Sequence, residues 1–389
     1  MAELQPERFQ RLWQLPFEGS WPMAVAFVGT RYVASGNRDG TIVVWPLPDG
    51  QAAPDAPPSA IRWLQGHDNG ITRLLGTPDG RHLISASLDH TVRIWDLDAP
   101  AADTAQLVLD AETRQRRARS SGKKDAPDEP GVTVQVQREA RVLSGHRAWV
   151  QALGLSRDGR RLISGDDACL TIVWDVTSGS PLARWTGYPD NAVVSAALSP
   201  DGAVAFTGEY CHPRGDYDRP PAQARLWNAA EGRELLDLLV VQFPNVRVRD
   251  NSYGYASTWG KFVGRGFVAA DFSPDGTLLA VGQGGETDTG RVHLIEVASG
   301  KLLRTVSGHQ YGVTDVRFSA DGRYVLSAGR DTTLRICQTD DGKEVARLGE
   351  PRGGQFKDWL SALDLSADQQ YLAAADIAGI VHVWRQQPS

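Results

Sequence analysis

Residues 66–96 contain one each of the side chains from which a hydrolytic Ser-His-Asp site is built, His67, Ser85 and Asp89, followed by Trp95. In such a site the imidazole takes the serine proton and the carboxylate orients the ring. The same spacings recur along the chain. Ser35, Asp39 and Trp45 form one further set, and Ser327 and Asp331 another, with His309 upstream and Cys337 at the tryptophan position. A third has His146, Ser164 and Trp174, but Ala168 at the aspartate position and Asp167 one place early. A catalytic site is needed once, so repetition points to architecture. Cys211 and His212 precede Asp216 and Asp218 without the ligand spacing of a structural zinc site. No metal, cofactor or catalytic residue is expected.

The element that positions each set is a repeat. Gly66-His67 leads to an apolar strand at 71–75, the turn Pro78-Asp79-Gly80, a strand at 82–86, a turn at 88–90 and a strand ending in Trp95-Asp96. Copies begin near Trp21, Gly66, Gly145, Gly187, Gly264, Gly308 and Gln355. Most contain an Asp-Gly step, which supplies the positive φ of a tight hairpin. Third strands end at Trp45, Trp95, Trp174, Trp227, Ile295, Cys337 and Trp384, so the last three copies are expected to be the divergent ones.

This unit resembles the WD40 repeat. The resemblance implies an all-β fold, a single seven-bladed β-propeller of four-stranded antiparallel blades. The expected blades are 18–65, 66–144, 145–186, 187–240, 264–307, 308–348 and 355–389, the last completed by an N-terminal strand at 10–17. It also implies that His67, Ser85, Asp89 and Trp95 form a buried hydrogen-bond chain, in which losing one member costs roughly 1–3 kcal/mol. Enzymatic propellers need acids, bases or ligands around the channel lined by the first strands. That column reads Ala24, Arg73, Ala152, Ser195, Ala269, Asp315 and Ala362, without a carboxylate ring. Two residues on stand Asp271, Arg317 and Asp364, expected to pair charges between blades.

The 389 residues include 41 Lys and Arg against 47 Asp and Glu, a net charge of −6, which weakens general nucleic-acid binding. Neither a leader nor a membrane-spanning apolar run is read, and three cysteines without CxxC spacing are expected to be free thiols. A cytoplasmic protein is expected.

Three insertions interrupt the repeats, at 99–138, 209–222 and 240–265. The first joins the third and fourth strands of blade 2. Its ends, 106–109 and 132–136, alternate in polarity and are expected to pair as a projecting ribbon. The other two are expected on the opposite, top face. Residues 240–265 carry Tyr253, Tyr255 and Trp259 among basic residues, a mixture enriched at interaction hot spots. The residue before each first strand, Trp21, Gly70, Trp149, Ala192, Gly266, Gly312 or Trp359, is implied by the resemblance to face partners. Trp21 and Trp359 then flank a patch with Arg38, Arg330 and Lys357. The leading reading is a non-enzymatic protein-interaction scaffold or regulatory sensor that presents its top face to a protein or peptide. Alternatives are a small-molecule-binding or hydrolytic propeller using the channel mouth and the blade 4 loop, and a nucleic-acid adaptor acting through the basic loop 114–124.

Overall fold

The structure, a computed structural model, describes residues 3–16, 21–48, 56–101, 103–108, 114–115, 131–188, 191–210, 222–242, 266–284, 290–349 and 359–387. Short β-rich segments separated by hydroxyl-x-Asp-Gly turns set the local structure. Ser156 Oγ donates to Asp158 Oδ1 at 2.7 Å, and the same carboxylate oxygen accepts the Arg160 N–H at 3.0 Å. Ser199-Asp201, Ser273-Asp275, Ser319-Asp321 and Ser366-Asp368 repeat the serine bond. The turn is closed by a left-handed residue, such as Gly159 at φ 72°, and Gln369 takes that conformation at φ 62° in the last copy.

These turns build an all-β, seven-bladed propeller in which every blade has four antiparallel strands in a meander. Blade 1 comprises Pro22–Val28, Tyr32–Asn37, Ile42–Pro46 and Arg62–Leu64; blade 2, Ile71–Gly76, His82–Ser87, Val92–Asp96 and Arg141–Leu143. Blade 3 comprises Val150–Leu155, Arg161–Asp166, Leu170–Asp175 and Pro181–Thr186; blade 4, Ala192–Leu198, Val204–Tyr210, Ala222–Asn228 and Arg233–Asp237. Blade 5 comprises Phe267–Phe272, Leu278–Gln283, Gly290–Glu296 and Leu302–His309; blade 6, Val313–Phe318, Tyr324–Gly329, Leu334–Gln338 and Glu344–Leu348. Blade 7 takes Leu360–Leu365, Tyr371–Asp376 and Ile380–Gln386 from the C-terminal region and its fourth strand, Phe9–Pro16, from the N-terminal region.

The chain divides into two compact units. Met1–Ser144, Asp331–Thr333 and Leu348–Ser389 form the first; Gly145–Arg330 and Leu334–Arg347 form the second. In the first, the N-terminal strand pairs antiparallel with Ile380–Gln386, from Phe9 opposite Gln386 to Pro16 opposite Ile380. Trp13 and Leu15 are thereby buried with Trp45, Tyr371, Val381 and Val383. Adjacent blades pack where side chains vanish: a Cβ on Gly36 would lie 2.5 Å from an Ile71 side-chain carbon. In the second unit Gly165 receives Val193 in the same way.

The ribbon expected at 99–138 forms, as Asp103–Leu107 paired with Val132–Gln137, but it does not project freely. Val132–Gln137 pairs in parallel with Arg62–Leu64, extending the blade 1 sheet to six strands. Leu107 and Val134 are buried in the same cluster as Trp45. Arg62 donates to Gln137 Oε1 at 2.8 Å and to the Ala99 carbonyl at 3.0 Å. The ribbon therefore straps blade 2 to blade 1. A turn of helix, Leu238–Gln242, leads into the third insertion and buries Leu238 and Leu239 just before it. Residues 211–221, 243–265 and 116–130 lie outside the described residues. Among the described residues no helix is long and apolar enough to cross a membrane.

Candidate functional site

The four chemically suggestive residues of blade 2 meet inside the sheet. His67 Nε2 lies 2.7 Å from Ser85 Oγ, which accepts the Trp95 indole N–H at 2.8 Å, and His67 Nδ1 lies 2.7 Å from Asp89 Oδ2. This arrangement assigns the imidazole proton to Nδ1, with Ser85 donating to Nε2. Burial lowers the basicity of His67, and the bonds from His67 and Thr91 hold Asp89 well below the ordinary carboxylate range despite its own burial. Ser85 is fully buried and its oxygen is engaged on two sides. No substrate carbonyl reaches such a serine, so this geometry orders a blade instead of opening an acyl bond.

Blade 3 repeats the chain with one correction. The carboxylate is Asp166, not Asp167 or a residue at the Ala168 position: Asp166 Oδ2 lies 2.8 Å from His146 Nδ1. His146 Nε2 and the Trp174 N–H meet Ser164 Oγ at 2.6 and 2.7 Å. Asp166 closes the second strand and also accepts the N–H groups of Ala168 and Leu170. In blade 1 the spacing is deceptive. Ser35 donates to the Ala24 carbonyl, and Asn37, not Asp39, caps the turn.

The remaining blades change the source of the buried polar partner. Blade 6 keeps the turn histidine, with His309 Nε2 2.8 Å from Ser327 Oγ. In blades 5 and 7 a histidine comes from the third strand: His293 contacts Gln283 and Thr305, and His382 Nε2 lies 2.6 Å from Asp376 Oδ2. In blade 4 Thr207 receives the Trp227 N–H at 2.8 Å, and third-strand Arg225 approaches buried Glu209 at 3.7 Å. Arg225 also lies between the Tyr188 and Trp227 rings, 4.4 and 5.5 Å from their centroids. Third-strand partners thus accompany long connections: residues 211–221 within blade 4, 238–266 before blade 5 and 349–359 before blade 7. Blades 2 and 3, held by turn histidines, follow the short connections 65–70 and 144–149.

Two of the residues expected to pair charges between blades, Asp364 and Asp271, each bond a backbone N–H of the next blade. Asp364 Oδ2 accepts the Phe27 N–H at 2.8 Å, and Asp271 Oδ2 accepts the Phe318 N–H at 2.7 Å. Arg317 pairs with Asp315 on its own strand, at 3.1 Å. The thiols of Cys169 and Cys337 are free and buried; burial, then Glu344, pushes Cys337 up to about 11.

The surface residues expected to meet partners occupy equivalent positions in their blades. The N–H following a second strand donates to the carbonyl preceding the first: Arg38 to Trp21, Asp167 to Trp149, Arg330 to Gly312 and Ile377 to Trp359. Trp21 is 39% and Trp149 48% exposed; Trp359 and Arg330 are half-buried. Exposed Arg38 lies over the Trp21 ring, 5.5 Å from its centroid. Its backbone is held from the other side by Gly70, where a Cβ would lie 2.7 Å from the Arg38 carbonyl oxygen. Ser361 Oγ donates to the Pro22 carbonyl at 2.8 Å, tying the segment after Trp359 to the segment after Trp21. Tyr253, Tyr255, Trp259 and Lys357 lie outside the described residues.

Comparison with known proteins accounts for these differences among blades. The family model described as WD domain, G-beta repeat matches residues 59–96, 137–175 and 300–337. Those segments contain the first three strands of blades 2, 3 and 6, the three held by turn histidines, so blade 6 does not belong with the divergent group despite Cys337. The guanine nucleotide-binding protein subunit beta of Arabidopsis thaliana is 25% identical over 351 residues, 83% of this chain and 82% of that protein. Protein groucho of Drosophila melanogaster is 24% identical over 343 residues, 88% of this chain and 36% of that protein. WD repeat-containing protein 82 of Drosophila melanogaster is 25% identical over 191 residues, 45% of this chain. The chain spans about half the length, 55%, of that last relative and of the nuclear distribution protein PAC1 of Arthroderma otae. Repeat matches, relatives and seven four-stranded blades agree: the chain is a seven-bladed β-propeller that carries WD40 repeats at three positions.

Proposed function

We propose that this protein is a non-enzymatic interaction platform that binds a protein or peptide at the end of the blades where the first strands begin. The observation that carries the reading is the Trp21-Arg38 pair, exposed to solvent on a backbone fixed by the Arg38-to-Trp21 bond and the close approach of Gly70. An exposed, pre-stacked cation and indole lose little conformational entropy on binding, and tryptophan and arginine dominate interface energetics. Trp359 extends this patch in the first unit. Trp149 and Arg330 hold the equivalent positions in the second, and Tyr253, Tyr255, Trp259 and Lys357 are assigned to the same role. The beta-subunit relative is by its name one chain of a larger assembly, which supports a partner-binding reading. A stable interface would bury on the order of 1,200–2,000 Å². Free, buried thiols support a cytoplasmic location.

The test is comparative capture from the native source with wild type and Trp21→Ala/Arg38→Glu, both shown to melt alike. Loss of specific partners from the double variant is expected. Equal recovery of every partner by the two proteins would remove this patch from the account.

A further inference from the structure

We infer that Asn69 is a site of spontaneous amide-to-acid conversion in the folded protein, which places a new carboxylate on the turn beside Arg38. Asn69-Gly70 is the one Asn-Gly step in the chain. Glycine has no Cβ to shield its backbone nitrogen from the preceding side-chain carbonyl carbon. The fold keeps the two groups together: the Gly70 N–H donates to Asn69 Oδ1 at 2.8 Å. Both flanking carbonyls are anchored, that of Asn69 by Ser87 Oγ at 2.8 Å and that of Gly70 by the Leu88 N–H at 2.9 Å. The nitrogen and the amide therefore stay adjacent instead of drifting apart as in an open chain. Asn69 itself is exposed, so ammonia leaves and water enters freely at its side chain.

The steps balance without an oxidant or reductant. The Gly70 nitrogen gives its proton to hydroxide and adds to Asn69 Cγ; the bond from Cγ to the amide nitrogen breaks, and ammonia departs with a proton from solvent. Water then opens the cyclic imide at either carbonyl, leaving aspartate or isoaspartate. Overall, one water is consumed and one ammonium released, so the chain gains one negative charge beyond its formal −6.

The position gives the reaction a consequence. A Cβ on Gly40 would lie 2.8 Å from the Asn69 carbonyl oxygen, and one on Gly70 would lie 2.7 Å from that of Arg38, so the Asn69-Gly70 step packs directly on the turn of residues 38–40. A carboxylate there competes for the Arg38 guanidinium with any acidic group of a partner. This consequence rests on the platform reading; the chemistry at Asn69 does not.

The experiment incubates the folded full chain in mildly alkaline buffer and follows the tryptic peptide of residues 63–73 by mass and by isoaspartate content. A synthetic peptide of the same sequence and the Asn69→Gln chain run in parallel. The expected result is conversion in the folded chain at least as fast as in the free peptide, and none in Asn69→Gln. Conversion of the free peptide while the folded chain keeps its amide overturns the inference. Separately, Asn69→Asp is expected to hold captured partners several-fold more weakly than wild type. Unchanged binding by that variant overturns the effect on Arg38 while leaving the chemistry to be judged by mass alone.

Discussion

Replacing Asp166 by alanine tests whether the blade 3 network is built as the geometry states. Asp166 is fully buried and accepts from His146 Nδ1 at 2.8 Å, Ala168 N at 3.0 Å and Leu170 N at 2.9 Å. The Ala168 N–H lies on an exposed residue and recovers a water partner. The His146 side chain, wholly buried, does not, and Leu170 is half-buried. Each hydrogen bond to a charged group is worth about 1.5–3 kcal/mol, and an orphaned buried donor forfeits its full desolvation energy, so the two bonds lost together cost about 3–5 kcal/mol. Asp167→Ala leaves these three bonds in place and should cost less. The assay is the thermal midpoint by circular dichroism for Asp166→Ala and Asp167→Ala. The former should fall by on the order of 10 °C, since 1 kcal/mol moves the midpoint by a few degrees in a large domain. Equal small shifts in both variants, or a larger shift for Asp167→Ala, would refute the reasoning.

Three further outcomes follow from the same structure. Burial lowers His67 from its ordinary 6.5, so the unfolded chain takes up the proton first; stability should decline as pH falls below about 6.5, and further as Asp89 is protonated beneath its ordinary 3.8. Thermal midpoints across mildly acidic pH check this, and a midpoint that rises on acidification contradicts it. Trp13→Ala should cost about 3–5 kcal/mol, because Trp13 is buried in the seam between the N-terminal strand and Ile380–Gln386; an unchanged midpoint would show that this pairing does not hold blade 7 together. Replacing residues 243–265 by a short linker should leave the midpoint within a few degrees of wild type, because third-strand His293 secures blade 5 through Gln283 and Thr305. Loss of soluble protein on that exchange would mean that the connection itself is part of the blade.

The blade count, the Asp-Gly turns and the N-terminal strand of blade 7 were legible in the sequence because each depends on a local pattern or on a repeat compared with its neighbours. The ribbon strands were legible too, from alternation at 132–136. Their docking was not: parallel pairing with Arg62–Leu64 joins segments about seventy residues apart, and no local signal encodes it. Counting from Ser164 failed for Asp166 because the carboxylate can come from the strand end or from the turn beyond, as Asp89 does in blade 2. The third-strand partners Arg225, His293 and His382 were visible as residue types, each two places before the closing residue of its strand motif, Trp227, Ile295 or Trp384. Their role becomes evident only when Glu209, Gln283 and Asp376 are seen to occupy the strand-end position of Asp166.

The central claim, that partners bind through Trp21 and Arg38, is tested most directly by one affinity. A partner recovered by wild type is purified and its Kd measured against wild type and against Trp21→Ala/Arg38→Glu of equal thermal midpoint. If these two residues form a hot spot worth about 2 kcal/mol, the double variant binds about 30-fold more weakly. A Kd unchanged within twofold, from a folded variant, would contradict the account.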